Sequence, residues 1–179
     1  TYLKKHKHRL HLNGYRLDNA IKKAETDDVA DPDTAKDLVW GFIHEETKHQ
    51  PAAKGAPEAL KKLQAYGQII ILSNVPHSVH NDRVLNLKNI GMDYPLISNE
   101  GMKGPAVKEI LKKHKADSFF IDDNPYQVES VNNDNPGTVC VHFSVCDLIK
   151  PYMPKAVGAS IEPTSWDDLV SRLINCLKG

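Results

Sequence analysis

Four short apolar runs, each separated from the next by a helical stretch, constrain this chain more than any other feature. They are QIIIL (68–72), YPLIS (94–98), SFFID (118–122) and TVCVHF (138–143). A short continuous apolar run bounded by turn residues reads as a strand buried on both faces, and parallel neighbours need a long crossover, usually a helix. The crossovers are equally legible. Pro57 opens the helix PEALKKLQAY, which Gly67 ends, and Val79 to Asn89 stops before Gly91. Pro105 to His114 is amphipathic, a further helix lies near Gln127 to Val131, and Ser165 with Asp168 caps the closing helix WDDLVSRLINCLK. The pattern predicts an α/β fold with a Rossmann-like, doubly wound parallel sheet.

The chain ahead of Lys54 has another character. From Tyr15 to His49 the spacing is helical, with Leu17, Ile21 and Ala24 on one stripe and Leu38, Val39, Phe42 and Ile43 on a second. Two antiparallel helices are expected, the second beginning near Ala35 under a cap from Asp33 or Thr34. The expected division is a helical region, 1–53, and an α/β core, 54–179.

Composition narrows the function classes. With 40% hydrophobic and 26% charged residues among 179, the chain can bury a core, so a disordered or collagenous protein is excluded. Lys+Arg 23 balance Asp+Glu 23, which argues against a general nucleic-acid binder; the basic run Lys4, Lys5, Lys7 and Arg9 reads as a solvated face. The longest aliphatic run, Ile69 to Leu72, is far below the roughly 18 residues that span a bilayer, so no membrane partner is expected. Cys140, Cys146 and Cys176 are odd in number and lack metal-type spacing, which favours a reducing, cytoplasmic setting and neutral thiols.

In an open parallel sheet, ligands bind beyond the carboxyl ends of the strands. Those ends carry Ser73-Asn74, Lys103-Gly104 and Asp122-Asp123-Asn124. A hydroxyl, a cation and two acids on one edge suit a phosphate beside a magnesium ion, because carboxylate oxygens hold the metal while Lys and hydroxyl donors take phosphate oxygens.

The ordered segments IIILSNVP, GMKGPAVKEI and FFIDDNPYQVES resemble the second, third and fourth motifs of the haloacid-dehalogenase-like (HAD-like) hydrolases. The resemblance covers Lys54 to about Phe143, and Tyr15 to Gln50 looks like that family's helical cap. It implies Mg²⁺-dependent hydrolysis of a phosphate monoester through an aspartyl-phosphate, on a small phosphorylated substrate. Nucleic acid would enter only as such a substrate, and a homodimer is possible within the family. Carried over, Ser73 would hydrogen-bond the phosphoryl group and Asn74 would shape its loop. Lys103 would neutralise phosphate and nucleophile, with Lys108 as competitor, and Asp122 and Asp123 would hold Mg²⁺. Gln127 stands where the family commonly has Asp or Asn, implying a weaker metal site.

The family's nucleophile, the first Asp of a DxD closing an apolar strand, has no counterpart. Asp31-Pro32-Asp33-Thr34 follows TDDVA, which cannot be a buried strand, and suits a helix cap instead. The resemblance places the absent strand between those ending at Leu72 and Ile121. Sequence upstream of Thr1 is expected to supply it, about 10 to 25 residues with its loop; the alternative is a degenerate, non-catalytic module that binds phosphate or a phosphorylated ligand. His77 and His80 are read as loop or first-turn histidines. His6, His8 and His11 are read as solvated, and Trp40 and Phe42 as packing residues.

Overall fold

The computed structural model describes residues 2–17, 19–114 and 116–178. It divides into two compact units, Thr1–Gln50 with Cys146–Pro154, and Pro51–Val145 with Lys155–Gly179.

The smaller unit opens with α1 (Tyr2–Lys5) and an antiparallel hairpin of β1 (His8–Leu10) and β2 (Ile21–Lys23), in register Arg9 with Lys22. The helix expected over Tyr15 to Ala24 is therefore not formed. Of its apparent stripe only Ile21 is buried, while Leu17 is 53% exposed. Asn19 and Asp27 sit at φ 62° and 63°, a region where short polar side chains are tolerated and helices cannot continue. Three residues at helical spacing also fit a hairpin in which one side chain of the three turns inward, and the strand pairing decided the outcome.

The second expected helix is present as α2 (Pro32–Glu46). Its cap is Asp31, two or three residues ahead of the expected Asp33 or Thr34. The Asp31 carboxylate accepts from the Thr34 backbone N–H at 2.9 Å and the Thr34 hydroxyl at 2.7 Å, and Pro32 occupies the first turn, where no N–H is needed. Asp31-Pro32-Asp33-Thr34 is thus a helix start. Within α2 only Leu38 is buried; Trp40 and Phe42 are 45% and 41% exposed, so they pack at the surface and not within the core. Phe42 meets Tyr2 edge-on and Trp40 stacks on His44. Tyr2, Ile21, Ala30 and Leu38 form this unit's core.

The larger unit alternates helix and strand. In order it holds α3 (Ala56–Leu63), β3 (Ile71–Ser73), α4 (His80–Asn89), β4 (Leu96–Ser98), α5 (Gly104–Lys113), β5 (Ser118–Asp122), α6 (Pro125–Asp134), β6 (Thr138–His142) and α7 (Trp166–Lys178). All four expected strands form, and both pairings are parallel: β3 with β4, Ile71 opposite Leu96, and β5 with β6, Ser118 opposite Thr138. Among the described residues no strand hydrogen bonds join the two pairs. The consequence shows in β3, whose three residues are half-buried rather than buried as a strand inside a continuous sheet would be.

Apolar side chains leave both faces of these pairs. Leu72, Phe120 and Cys140 pack with Val107 of α5 and Val128 and Val131 of α6. Phe119, Ile121 and Val141 pack with Leu63 of α3 and Leu169 and Leu173 of α7; Ile71 and Leu96 pack with Ala56, Leu60 and Leu87. Apolar area removed from water is worth about 25 cal/mol per Å², so these clusters hold the strands in place. Ser165 caps α7 as expected, accepting from the Asp168 N–H at 3.1 Å. No helix among the described residues is long and apolar enough to cross a membrane.

Candidate functional site

The carboxyl ends of β3, β4 and β5 converge on one loop, residues 99–103. Gly101, at φ 80°, turns its carbonyl toward Asn74, whose side-chain N–H donates to it at 2.8 Å; the Gln127 amide donates to the same oxygen at 3.2 Å. Asn99 donates to the Asn74 side-chain oxygen at 2.9 Å. Gln127 then accepts the Lys103 backbone N–H at 2.8 Å. Side chains following β3 and β5 therefore grip the loop following β4.

That grip aims Lys103. Its ammonium donates to Asp122 Oδ2 at 2.6 Å and lies 6.0 Å from the centre of the Phe120 ring. Asp122 is buried, and its other oxygen accepts the Asn124 N–H at 2.9 Å. Asn124 in turn caps α6, accepting from the Tyr126 N–H at 3.0 Å. Gly104 is required by close packing: a Cβ there would run into the Ser130 carbonyl and the Asp134 carboxylate. Lys108 lies exposed on α5, so of the two lysines it is Lys103 that meets the acid.

Asp123 reaches solvent, and His142 contacts its backbone oxygen at 3.1 Å. Loss of hydration, and then the neighbouring Asp122 charge, push the Asp123 carboxyl above the usual carboxylate range. Ser73 ends β3 half-buried, in register with Ser98 of β4. The structure thus brings Asn74, Lys103 and Asp122 into one connected network, with Ser73 and Asp123 each adjacent in sequence to a member of it.

A magnesium ion has only a partial donor set here. One Asp122 oxygen is engaged by a cation and the other by a backbone donor, and both ends of the Gln127 amide are engaged by the loop. Among the described residues no group of three or more His, Cys, Asp and Glu side chains could hold a metal ion. The resident arrangement therefore does not fit a complete magnesium site.

Of the other residues singled out in the sequence, His80 meets the Ser98 hydroxyl at 2.8 Å at the start of α4, and His77 is exposed. His6 and His8 are half-buried rather than solvated; His11 is exposed. Cys140 is buried, which raises its thiol pKa, whereas Cys146 is exposed. Sequence reasoning missed Asn99 altogether and saw Gln127 only as a departure from a motif. The available signal was Asn-Glu-Gly after a strand, a turn whose side-chain amide can bond nearby backbone.

No protein-family model and no curated protein matches this chain. Its fold is similar to that in a crystal structure of a haloacid dehalogenase-like hydrolase from Burkholderia xenovorans LB400, a protein whose own hydrolase assignment is provisional. The TM-score is 0.52 at 16% identity, over 78% of this chain and 66% of the other. The likeness is one of fold, and this chain spans just under two thirds of its neighbour's length.

Proposed function

We propose that this chain is the larger part of a HAD-like phosphohydrolase, doubly wound with an N-terminal cap, that holds a phosphate group at Lys103. The observation carrying the reading is the Lys103–Asp122 pair at 2.6 Å, because a half-buried ammonium beside a buried carboxylate at a strand-end edge is poised to exchange that carboxylate for a phosphoryl oxygen. Ser73 and Asn74 would bind and shape the phosphate, and Lys103 would stabilise the charge that phosphoryl transfer spreads over equatorial oxygens. Both Asp122 oxygens are engaged by Lys103 and the Asn124 N–H, so no step of this reading is routed through magnesium.

The attacking aspartate is assigned to no residue of this chain. Asp33 belongs to the first turn of α2 and Asp31 to its cap. The polypeptide of residues 1–179 is accordingly expected to bind phosphate without turning over a phosphate ester. The test is phosphate release from an aryl phosphate with Mg²⁺, where a background rate is expected. Turnover well above background, abolished by Asp123→Asn and untouched by Asp33→Asn, would show a nucleophile among these residues. The same Lys103–Asp122 closure also favours a second reading, a non-catalytic phospho-ligand-binding module, which the absence of turnover combined with phosphate affinity would leave standing.

A further inference from the structure

Two large apolar side chains stand exposed beside the lysine of the site. Met102, immediately before Lys103 in the loop after β4, is 49% exposed, and Tyr126, in the first turn of α6, is 50% exposed. Both are carried by pinned backbone. The Gln127 amide donates to the Gly101 carbonyl at 3.2 Å and accepts the Lys103 N–H at 2.8 Å, so it holds the residues on both sides of Met102. Tyr126 follows Pro125 at the start of the same helix, and its N–H donates to the Asn124 side chain at 3.0 Å.

The same bonds tie both positions to the ammonium. Lys103 donates to one Asp122 oxygen, the other accepts the Asn124 N–H, and the Asn124 side chain holds the Tyr126 backbone. Gln127, next to Tyr126 in the chain, grips the loop that carries Met102. A molecule whose phosphate meets Lys103 therefore has a thioether on the loop and a phenol ring on the helix as its apolar neighbours. Single exposed apolar side chains are ordinary on a surface, but a ring and a polarizable sulfur beside a cation make a lining that suits an aromatic group. A sugar would call for hydrogen-bonding side chains instead. The nearby amides of Asn74, Asn99 and Gln127 are directed to the loop and to one another.

We propose that Met102 and Tyr126 form a ring subsite, so that the ligand of this site is the phosphate monoester of a phenol. The inference rests on the phosphate reading of Lys103 and adds to it the chemical class of the esterified group.

Calorimetric titration of the full chain with phenyl phosphate and with methyl phosphate tests it, because the two esters share the phosphate and differ in the ring. Phenyl phosphate is expected to bind tighter by about fivefold or more, the gain of one ring contact. Changing Met102→Ala and Tyr126→Ala together should bring the ratio of the two affinities close to one, whereas Tyr126→Phe, which keeps the ring, should retain it. Acetyl-phosphotyrosine amide runs in parallel: either aromatic ester binding tighter than methyl phosphate supports the subsite, and the tighter of the two identifies its source as a free aryl ester or a phosphorylated tyrosine. A ratio near one in the parent for both aromatic esters, or a ratio that survives the double alanine change, would overturn the subsite and leave the phosphate reading standing. Failure of the phosphate reading looks different. No ester would bind, or all would bind with affinities that Lys103→Met does not alter, and the subsite would fall with it.

Discussion

Lys103 and Asp122, nineteen residues apart, hold opposite charges 2.6 Å from one another at the edge where three strands end, with side chains 12% and 7% exposed. Two charges removed this far from water are compensated by each other and by the Asn124 N–H. Everything proposed for the site follows from which anion faces that ammonium.

Breaking the pair from either side leaves a charge largely removed from water without its partner. Lys103→Met or Asp122→Asn is expected to cost about 3 kcal/mol of unfolding free energy, and the double change to cost less than the two single changes summed. Denaturant titration of the four proteins measures the coupling. Additive losses would show that the two groups do not act as a pair in solution.

The raised Asp123 pKa fixes the sign of a pH effect. A carboxyl that holds its proton more tightly when folded adds stability as pH falls from above its folded pKa toward the unfolded value, about 3.9. The charged form is therefore a burden at neutral pH. Asp123→Asn should unfold at higher denaturant than the parent at pH 7, and the advantage should vanish below about pH 3.9. Thermal or urea melts across pH 3–8 check this, and an Asn variant less stable at pH 7 would reverse the sign.

Lys103 also competes with any cation for Asp122. Calorimetric titration with Mg²⁺ should find binding to the parent weak and binding to Lys103→Met tighter, by roughly tenfold, the equivalent of one charge-assisted contact of about 1.4 kcal/mol. Equal affinities would mean that the metal uses neither oxygen of Asp122.

How far the sequence reached can be judged element by element. The four strands and their helices were legible because each apolar run is short, bounded by turn residues and followed by a helix with its own proline or glycine signal. SFFID, for example, became Ser118–Asp122 without a shift. Between Tyr15 and Ala24 the reading failed, since three apolar residues cannot separate a helix stripe from a hairpin whose pairing with His8–Leu10 is non-local. At the site, Lys103 and Asp122 were identified by strand-end position and chemistry, yet their direct pairing was not foreseen because it depends on how the loop 99–103 is gripped. Gln127 shows why: one side chain at a single position can serve a metal or clamp a loop, and only the partners of its amide distinguish the two.

The most direct measurement is phosphate affinity at Lys103. Inorganic phosphate should bind the full chain by calorimetry or by ³¹P shift, Lys103→Met should weaken it about tenfold or more, and Lys108→Met should leave it unchanged. Phosphate binding that is absent, or that survives Lys103→Met and falls with Lys108→Met, would contradict a phosphate site built on the Lys103–Asp122 pair.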